Sequence, residues 1–329
     1  MSDHISVIIV NWNGKRYLDR CLSSVLRQSY ADYEVVLVDN ASQDGSVDLV
    51  RERFPAVRVI ANSRNVGFAA GNNLGIAATQ GEYVATLNSD TEVEPGWLAA
   101  LVAGMSAGPR IGLCACKMLF FDQRERINSS GICIDRAGIA WDRDGGQLDM
   151  EAGREEGEVF GACAGAALYR RAMLAQIGGF DDEFFYLYED VDLAWRARLA
   201  DWRCWYCPAA RVYHVHAGAG TEGTPLKSYL LARNRIWTII KNYPWPQYLI
   251  YAPAMLLYDL AASGYSLLAR RDAYTLRGRL IGYLSLPWLW RKRREIQKRC
   301  TISWAELARW MNPLESPWRV WQRYAHLSR

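Results

Sequence analysis

The chain has 329 residues, 50% of them hydrophobic and 22% charged, which supports a sizeable core and leaves no stretch that reads as disordered. The formal net charge of +4 conceals a division: residues 1–220 hold 21 Lys/Arg against 29 Asp/Glu, whereas residues 221–329 hold 18 against 6, with eight of the 14 Trp. An acidic unit, 1–220, and a basic, Trp-rich helical unit, 221–329, are therefore expected, the second meeting something anionic.

The first residues, Met1 to His4, run straight into a strand-like segment with no basic or apolar leader, so an unsecreted chain is expected. The eight cysteines are scattered through apolar runs, as suits reduced, buried thiols. Cys204 and Cys207 have the spacing of a redox or zinc pair, but no second pair accompanies them. Ile5 to Val10 is β-branched and bounded by polar residues, the pattern of a buried strand. A turn follows at Asn11–Gly14, and Leu18, Cys21, Leu22, Val25 and Leu26 recur at helical spacing. Val35 to Val38 is a second strand ending at Asp39. Ser42 can cap a helix whose apolar face includes Val47, Val50 and Phe54. Val57 to Ala61 is a third strand, Gly71 to Thr79 a short helix, and Tyr83 to Leu87 a fourth strand that stops at Asn88-Ser89-Asp90. Pro95, Gly96 and Trp97 open another helix. Strands alternating with helices imply an α/β fold on a parallel sheet.

Beyond the apolar run Ile111 to Leu119, the polar and Gly-rich stretch Phe121 to Glu158 is expected to be a loop or hairpin excursion. Val159 to Tyr169 is small and apolar, which permits close approach of backbone to a ligand. Arg170 to Ile177 is a short helix stopped by Gly178-Gly179. Val191 to Leu199 is helical, and Trp202 to Val215 returns as a strand ending in His214-Val215-His216.

Three places carry chemistry. Asp39 and Asp90 end strands, and in a parallel sheet all such ends lie on one side, where ligands bind. Asp90 can hold a divalent cation that holds a diphosphate, or be a turn or cap acid. Asp39 can accept from a nucleobase or ribose, or close a turn. The Gly- and amide-rich stretch Asn65 to Asn73 enters a helix and offers N–H groups to an anion; the absence of Gly-x-Gly-x-x-Gly after the first strand disfavours a dehydrogenase. In the aromatic, acidic run Phe180 to Leu193, Glu189-Asp190 reads as a general base in an aromatic pocket or as acids stabilised by a helix dipole. Asp192 reads as a cap or salt-bridge residue. His214 and His216 share a strand face, His214 being the better metal ligand and a core histidine the alternative.

Taken together, Val7-Ile8-Ile9-Val10-Asn11-Trp12-Asn13, Val38-Asp39-Asn40-Ala41-Ser42, Asn65-Val66-Gly67-Phe68, Leu87-Asn88-Ser89-Asp90, Gly178-Gly179-Phe180-Asp181, Tyr188-Glu189-Asp190-Val191-Asp192 and His214 resemble a family-2 glycosyltransferase of the GT-A fold. Arg233-Asn234-Arg235 is similar to its bacterial rhamnosyltransferase-like branch. The resemblance covers residues 5 to about 245. It implies a Rossmann-like, mostly parallel sheet flanked by helices. It also implies a donor site around Asn11, Asp39, Asn65, Gly67, Asn88, Ser89 and Asp90, with Asp39 on the nucleoside. Asp90 ends the family's Asp-x-Asp metal motif; with Asn88 at its first position, His214 becomes the second ligand of a Mg²⁺ or Mn²⁺ ion. Asp190 matches the base of an inverting transfer, with Glu189 as the fallback. The implied donor is a nucleotide-diphosphate sugar, dTDP-L-rhamnose ahead of UDP-sugars. The implied acceptor is a saccharide or lipid-linked saccharide in surface-polysaccharide synthesis. The glycines around Gly145-Gly146 and Gly218-Ala219-Gly220 are expected to close over the donor. A non-catalytic nucleotide-sugar-binding module on the same fold is the alternative.

In the C-terminal unit, Tyr248 to Leu268 is long enough to span a bilayer, but its central Asp259 is costly in hydrocarbon and its flanks, Lys241 and Arg270-Arg271, set no orientation. An interfacial or re-entrant helix is favoured, a soluble subdomain or homodimer face being the alternatives. Leu280 to Trp290 is too short to span and runs into Arg291-Lys292-Arg293-Arg294, where clustered cations would gain about 1 kcal/mol each near an anionic leaflet. Basic residues alternating with apolar runs suit a lipid surface and not nucleic acid. A peripheral protein on the cytoplasmic membrane face is expected.

Overall fold

The computed structural model describes residues 3–215 and 224–315; His216 and Gly218-Ala219-Gly220 lie outside them. The first half is the alternating unit its pattern foretells: β1 (Ile5–Asn11), α1 (Lys15–Val25), β2 (Tyr33–Asp39), α2 (Ser46–Arg53), β3 (Arg58–Ala61), α3 (Gly67–Ala77) and β4 (Tyr83–Asn88). A short β5 (Thr91–Val93), α4 (Trp97–Met105) and β6 (Ile111–Phe120) follow. The polar excursion contains β7 (Ile127–Ser129), the hairpin strands β8 (Ile132–Ile134) and β9 (Ala140–Asp142), and β10 (Gly157–Val159). The chain continues through β11 (Ala166–Arg170), α5 (Arg171–Ile177), a 3-10 turn at Asp182–Phe184, α6 (Glu189–Leu199) and β12 (Arg203–His214).

The main sheet runs β10-β12-β6-β11-β4-β1-β2-β3. Strands β3, β2, β1 and β4 are parallel, but β11 lies antiparallel between β4 and β6. The sheet is therefore mixed, less parallel than the alternation suggested. Strand β12 is parallel to β6, so His214 leaves the sheet at the same edge as Asn11, Asp39 and Asn88.

Alternation along the strands fills both faces. Ile5, Val7 and Ile9 meet Leu18 and Leu22 of α1 and Leu98 and Leu101 of α4. Ile8, Val36, Val38 and Val84 meet Ala69 of α3, Met173 of α5 and Leu193 of α6. Each fully buried leucine contributes about 1.5–3 kcal/mol. Helix α3 begins earlier than its pattern suggested, at Gly67, and its glycines serve packing: a Cβ at Gly75 would lie 2.5 Å from Ile8.

Five helices complete the described chain: α7 (Pro225–Asn242), α8 (Trp245–Ala269), α9 (Tyr274–Leu284), α10 (Leu286–Lys298) and α11 (Trp304–Ala308). The composition changes between β12 and α7, yet one core crosses that point: Trp195 of α6 packs with Ile132 and Ile134 of β8, Ile239 of α7, Tyr243 just after it and Met255 of α8. Among the described residues no helix is long and apolar enough to cross a membrane, which removes the spanning alternative for Tyr248–Leu268. Helix α8 is turned inside out. Its one charge, Asp259, is buried against Arg235 (2.5 Å), Arg279 (2.9 Å) and the Tyr283 hydroxyl (3.1 Å), while Ile250, Leu257, Leu260 and Leu268 face outward. The basic run does not form one surface either. Arg293 is buried and donates to the Ile240 carbonyl (2.8 Å), Lys292 binds Asp181, and only Arg291 and Arg294 of the four are exposed.

Candidate active site

Register sets the first part of the site. Asn11 pairs with Asp39 across β1 and β2, and Val10 pairs with Asn88 across β1 and β4, so three polar residues end adjacent strands at one level. Asp39 is buried and internally satisfied: one oxygen accepts from Asn11 Nδ2 (2.8 Å), the other from the Ser42 amide (2.8 Å). Its carboxylate thus shapes the turn that follows β2. Beside it Trp12, 48% exposed, presents an indole ring to solvent.

The anion-binding reading of the Asn65–Asn73 stretch is corrected by where its N–H groups point. The Gly67 amide donates to Asn65 Oδ1 (2.9 Å), and those of Phe68 and Ala69 donate to the Phe185 carbonyl (2.6 and 3.2 Å). The start of α3 is closed by the aromatic loop before α6 and is not open to phosphate. The Gly145-Gly146 turn is likewise tied down, Gly146 donating to the Ile127 carbonyl (2.8 Å). The small residues after Val159 approach the chain itself: a Cβ at Gly161 would lie 2.4 Å from Ala194.

Asp90 and His214 meet where β4 and β12 end. The Val215 amide donates to the Asp90 carbonyl (3.0 Å), and His214 Nε2 lies 3.3 Å from Asp90 Oδ1 and 3.4 Å from Asn88 Nδ2. On the other side of the ring, Nδ1 is 2.8 Å from Asn128 Oδ1. An amide oxygen accepting there keeps the ring proton on Nδ1 and turns the Nε2 lone pair toward Asp90. Two acceptors then face one another, an arrangement that a proton or a cation between them satisfies, with the Asn88 amide also within reach of Nε2. Ligands about 2.1 Å from one ion and at a right angle lie about 3 Å apart, so the pair fits a divalent ion. Among the described residues no three His, Cys, Asp or Glu side chains cluster to hold a metal unaided. Two protein ligands suit an ion that completes its shell with substrate phosphate and water. The eight cysteines form no disulfide.

The acidic pair stands at the start of α6, tied to this corner through the backbone. The Ala164 amide donates to Asp190 Oδ2 (3.2 Å), and the next residue, Gly165, accepts from the Asn88 amide (2.8 Å). Asp190 Oδ1 also accepts from the Val191 amide (2.7 Å). Burial pushes the Asp190 carboxyl up to about 6, the Ala164 amide opposing and Asp142 adding to the rise. Glu189 is buried, its Oε2 has no partner, and burial followed by the Asp190 charge pushes it well above the ordinary range. Burial thus raises both carboxyls, and two backbone amides support the charge of Asp190. Asp192 is structural, as its position suggested, accepting from Arg196 (2.8 Å), Asn242 (2.8 Å) and Lys241 (2.8 Å). Two site residues escaped the sequence reading. Asn128 and Asp142 come from the polar excursion, where no periodicity or motif marks them. Solvent reaches Asp142, though protein walls it on most sides, and burial raises its carboxyl while Ser129 and His214 oppose.

This corner has two acids and a histidine on the strand-end edge of an α/β sheet, and the family model for Glycosyl transferase family 2 matches residues 6–178. The chain belongs to that family. As a family-2 glycosyltransferase it has a relative in the N-acetylglucosaminyl-diphospho-decaprenol L-rhamnosyltransferase of Mycobacterium tuberculosis (strain ATCC 25618 / H37Rv). The two are 30% identical over 261 residues, 71% of this chain and 83% of that one. Two solved structures share its fold. One is the mannosyltransferase PcManGT from Pyrobaculum calidifontis, in complex with GDP-Man and Mn2+, with a TM-score of 0.55 at 18% identity, covering 98% of this chain and 84% of that one. The other is S. aureus TarS 1-349 in complex with UDP-GlcNAc, with a TM-score of 0.58 at 16% identity, covering 90% and 89%. In this family-2 glycosyltransferase, Asp190 and His214 lie beyond the matched residues 6–178, on α6 and β12.

Proposed function

We propose that the protein transfers a sugar, L-rhamnose in first place, from a nucleotide-diphosphate donor to a hydroxyl of a lipid-linked saccharide, with inversion at the anomeric carbon. The observation that carries this reading is the meeting of Asp90 and His214 at 3.3 Å at the same sheet edge where the Ala164–Gly165 backbone ties in Asp190. Asp90 and His214 would hold a Mg²⁺ or Mn²⁺ ion, whose chemistry is to offset charge on the leaving diphosphate. The turn shaped by Asn11 and Asp39 receives the nucleoside, and Trp12 offers its ring to the base. Asp190 takes the proton of the acceptor hydroxyl as that oxygen bonds to the anomeric carbon and the bond to the diphosphate breaks on the opposite face. Alignment of the two substrates supplies up to roughly 7–11 kcal/mol in favourable cases. The preference for rhamnose and for a lipid-linked acceptor draws on the rhamnosyltransferase relative and its name. Screening purified protein against dTDP-L-rhamnose, UDP-GlcNAc and GDP-mannose for nucleotide release tests it. Turnover of dTDP-L-rhamnose that stops in EDTA supports the reading; full turnover in EDTA removes the metal, and no turnover of any donor favours a binding module.

The lipid-linked acceptor and the outward leucines of α8 support docking on the cytoplasmic face of an anionic membrane. With Asp259 turned inward, the exposed side of α8 meets lipid without a buried charge. Sedimentation with anionic liposomes, released by high salt, is expected. A protein that ignores liposomes and self-associates through α8 would make this face a homodimer surface instead.

A further inference from the structure

The loop that delivers Glu189 and Asp190 is held in a conformation its residues avoid. Phe185, Leu187 and Tyr188 have φ of 65°, 69° and 68°, a left-handed backbone that aromatic and branched residues keep only where their surroundings over-determine it. Two helices do so. From α3, the Phe68 and Ala69 amides grip the Phe185 carbonyl, and Gly67 admits that contact, since a Cβ there would lie 2.5 Å from the same oxygen. From α7, the fully buried Asn234 donates its Nδ2 hydrogens to the carbonyls of Phe184 (3.1 Å), Tyr186 (3.0 Å) and Leu187 (2.7 Å). Arg233 fixes the direction of that amide, its Nε donating to Asn234 Oδ1 (2.9 Å) while Nη2 donates to the Glu183 (3.0 Å) and Phe184 (3.1 Å) carbonyls. Four successive carbonyls, 184 to 187, are thus taken up by donors from outside the loop.

We propose that Asn234 is a positioning residue for the transfer: by gathering three carbonyls of the strained loop it sets the aim of Asp190. This rests on Asp190 being the base. A primary amide suits the place, because a carboxylate would repel the three oxygens and an apolar side chain would take this donor from all of them, Phe184 alone keeping Arg233. The C-terminal helices are then part of the catalytic apparatus as well as a docking surface.

The test is nucleotide release from dTDP-L-rhamnose and UDP-GlcNAc by Asn234→Ala and Asn234→Asp, with dTDP and UDP binding and amide hydrogen exchange measured alongside. The expected result is a kcat lower by roughly 100-fold, donor KM within about threefold, and faster exchange at Phe185–Asp190. If Asn234→Ala does not melt cooperatively, Arg233→Gln, from a half-buried side chain, carries the test and should lower kcat in the same sense. A folded variant with wild-type kcat overturns the proposal, as does an equal loss of nucleotide binding, which would mark general unfolding. An inactive Asp190→Asn beside an active Asn234→Ala removes only the role of Asn234; an active Asp190→Asn removes the base itself.

Discussion

Glu189 and Asp190 are adjacent carboxyls with different hydrogen bonding. Asp190 accepts from the Ala164 and Val191 amides, whereas Glu189 Oε2 has no partner. Asp190→Asn is therefore expected to lower kcat by about 10²–10⁴ while keeping donor affinity. Glu189→Gln, close in shape to the protonated acid, should lose less than about tenfold; kinetics on both variants checks this, and reversed effects would make Glu189 the base. In the wild type, kcat/KM should fall as pH drops below about 6, where Asp190 takes up its proton. The same shift bears on stability. The folded pKa is raised from 3.8 to about 6, so the native state binds the proton more tightly and stability falls as pH rises through that window. Asp190→Asn should thus raise the melting temperature by about 2–4 °C at pH 8 and by less at pH 4, read by calorimetry. Asp90, His214 and the acidic pair were legible because strand ends and a helix start place them. The closed start of α3 was not, since nothing local announces that the Phe185 carbonyl, over a hundred residues on, takes its amides.

At the scale of elements, α8 was legible in the sequence, but the partners of its one charge were not. Asp259 lies between Arg235 and Arg279, which are 24 and 20 residues away in sequence. Asp259→Ala would take the contacting carboxylate from the buried Arg235 and the half-buried Arg279 and should destabilise by about 3 kcal/mol, measured by urea unfolding. The run Arg291–Arg294 likewise divides by helical position. Arg291→Gln with Arg294→Gln should weaken liposome sedimentation and leave soluble-acceptor turnover unchanged. Binding equal to wild type would remove these two cations from docking. Lys292→Met should act on the loop before Asp190, since Lys292 and Lys241 together overcome the burial of Asp181 and hold its carboxyl well below the usual range.

Across the whole molecule, one sheet edge collects the chemistry and one helical layer holds it in place. Strands β1, β2, β4 and β12 end together and bring Asn11, Asp39, Asn88 and His214 to one side, while α6 and α7 share a core that fixes the loop carrying the acids. The alternating first half made this fold legible. The insertion of β11 antiparallel between β4 and β6 was not, because that pairing depends on the hairpin excursion and not on any periodicity. The most direct test of this arrangement is a donor-turnover assay of wild type against Asp190→Asn, with nucleotide-sugar binding measured by calorimetry on the same samples. The expected result is transfer in the wild type alone, with equal donor affinity in both. Undiminished transfer by Asp190→Asn would contradict it.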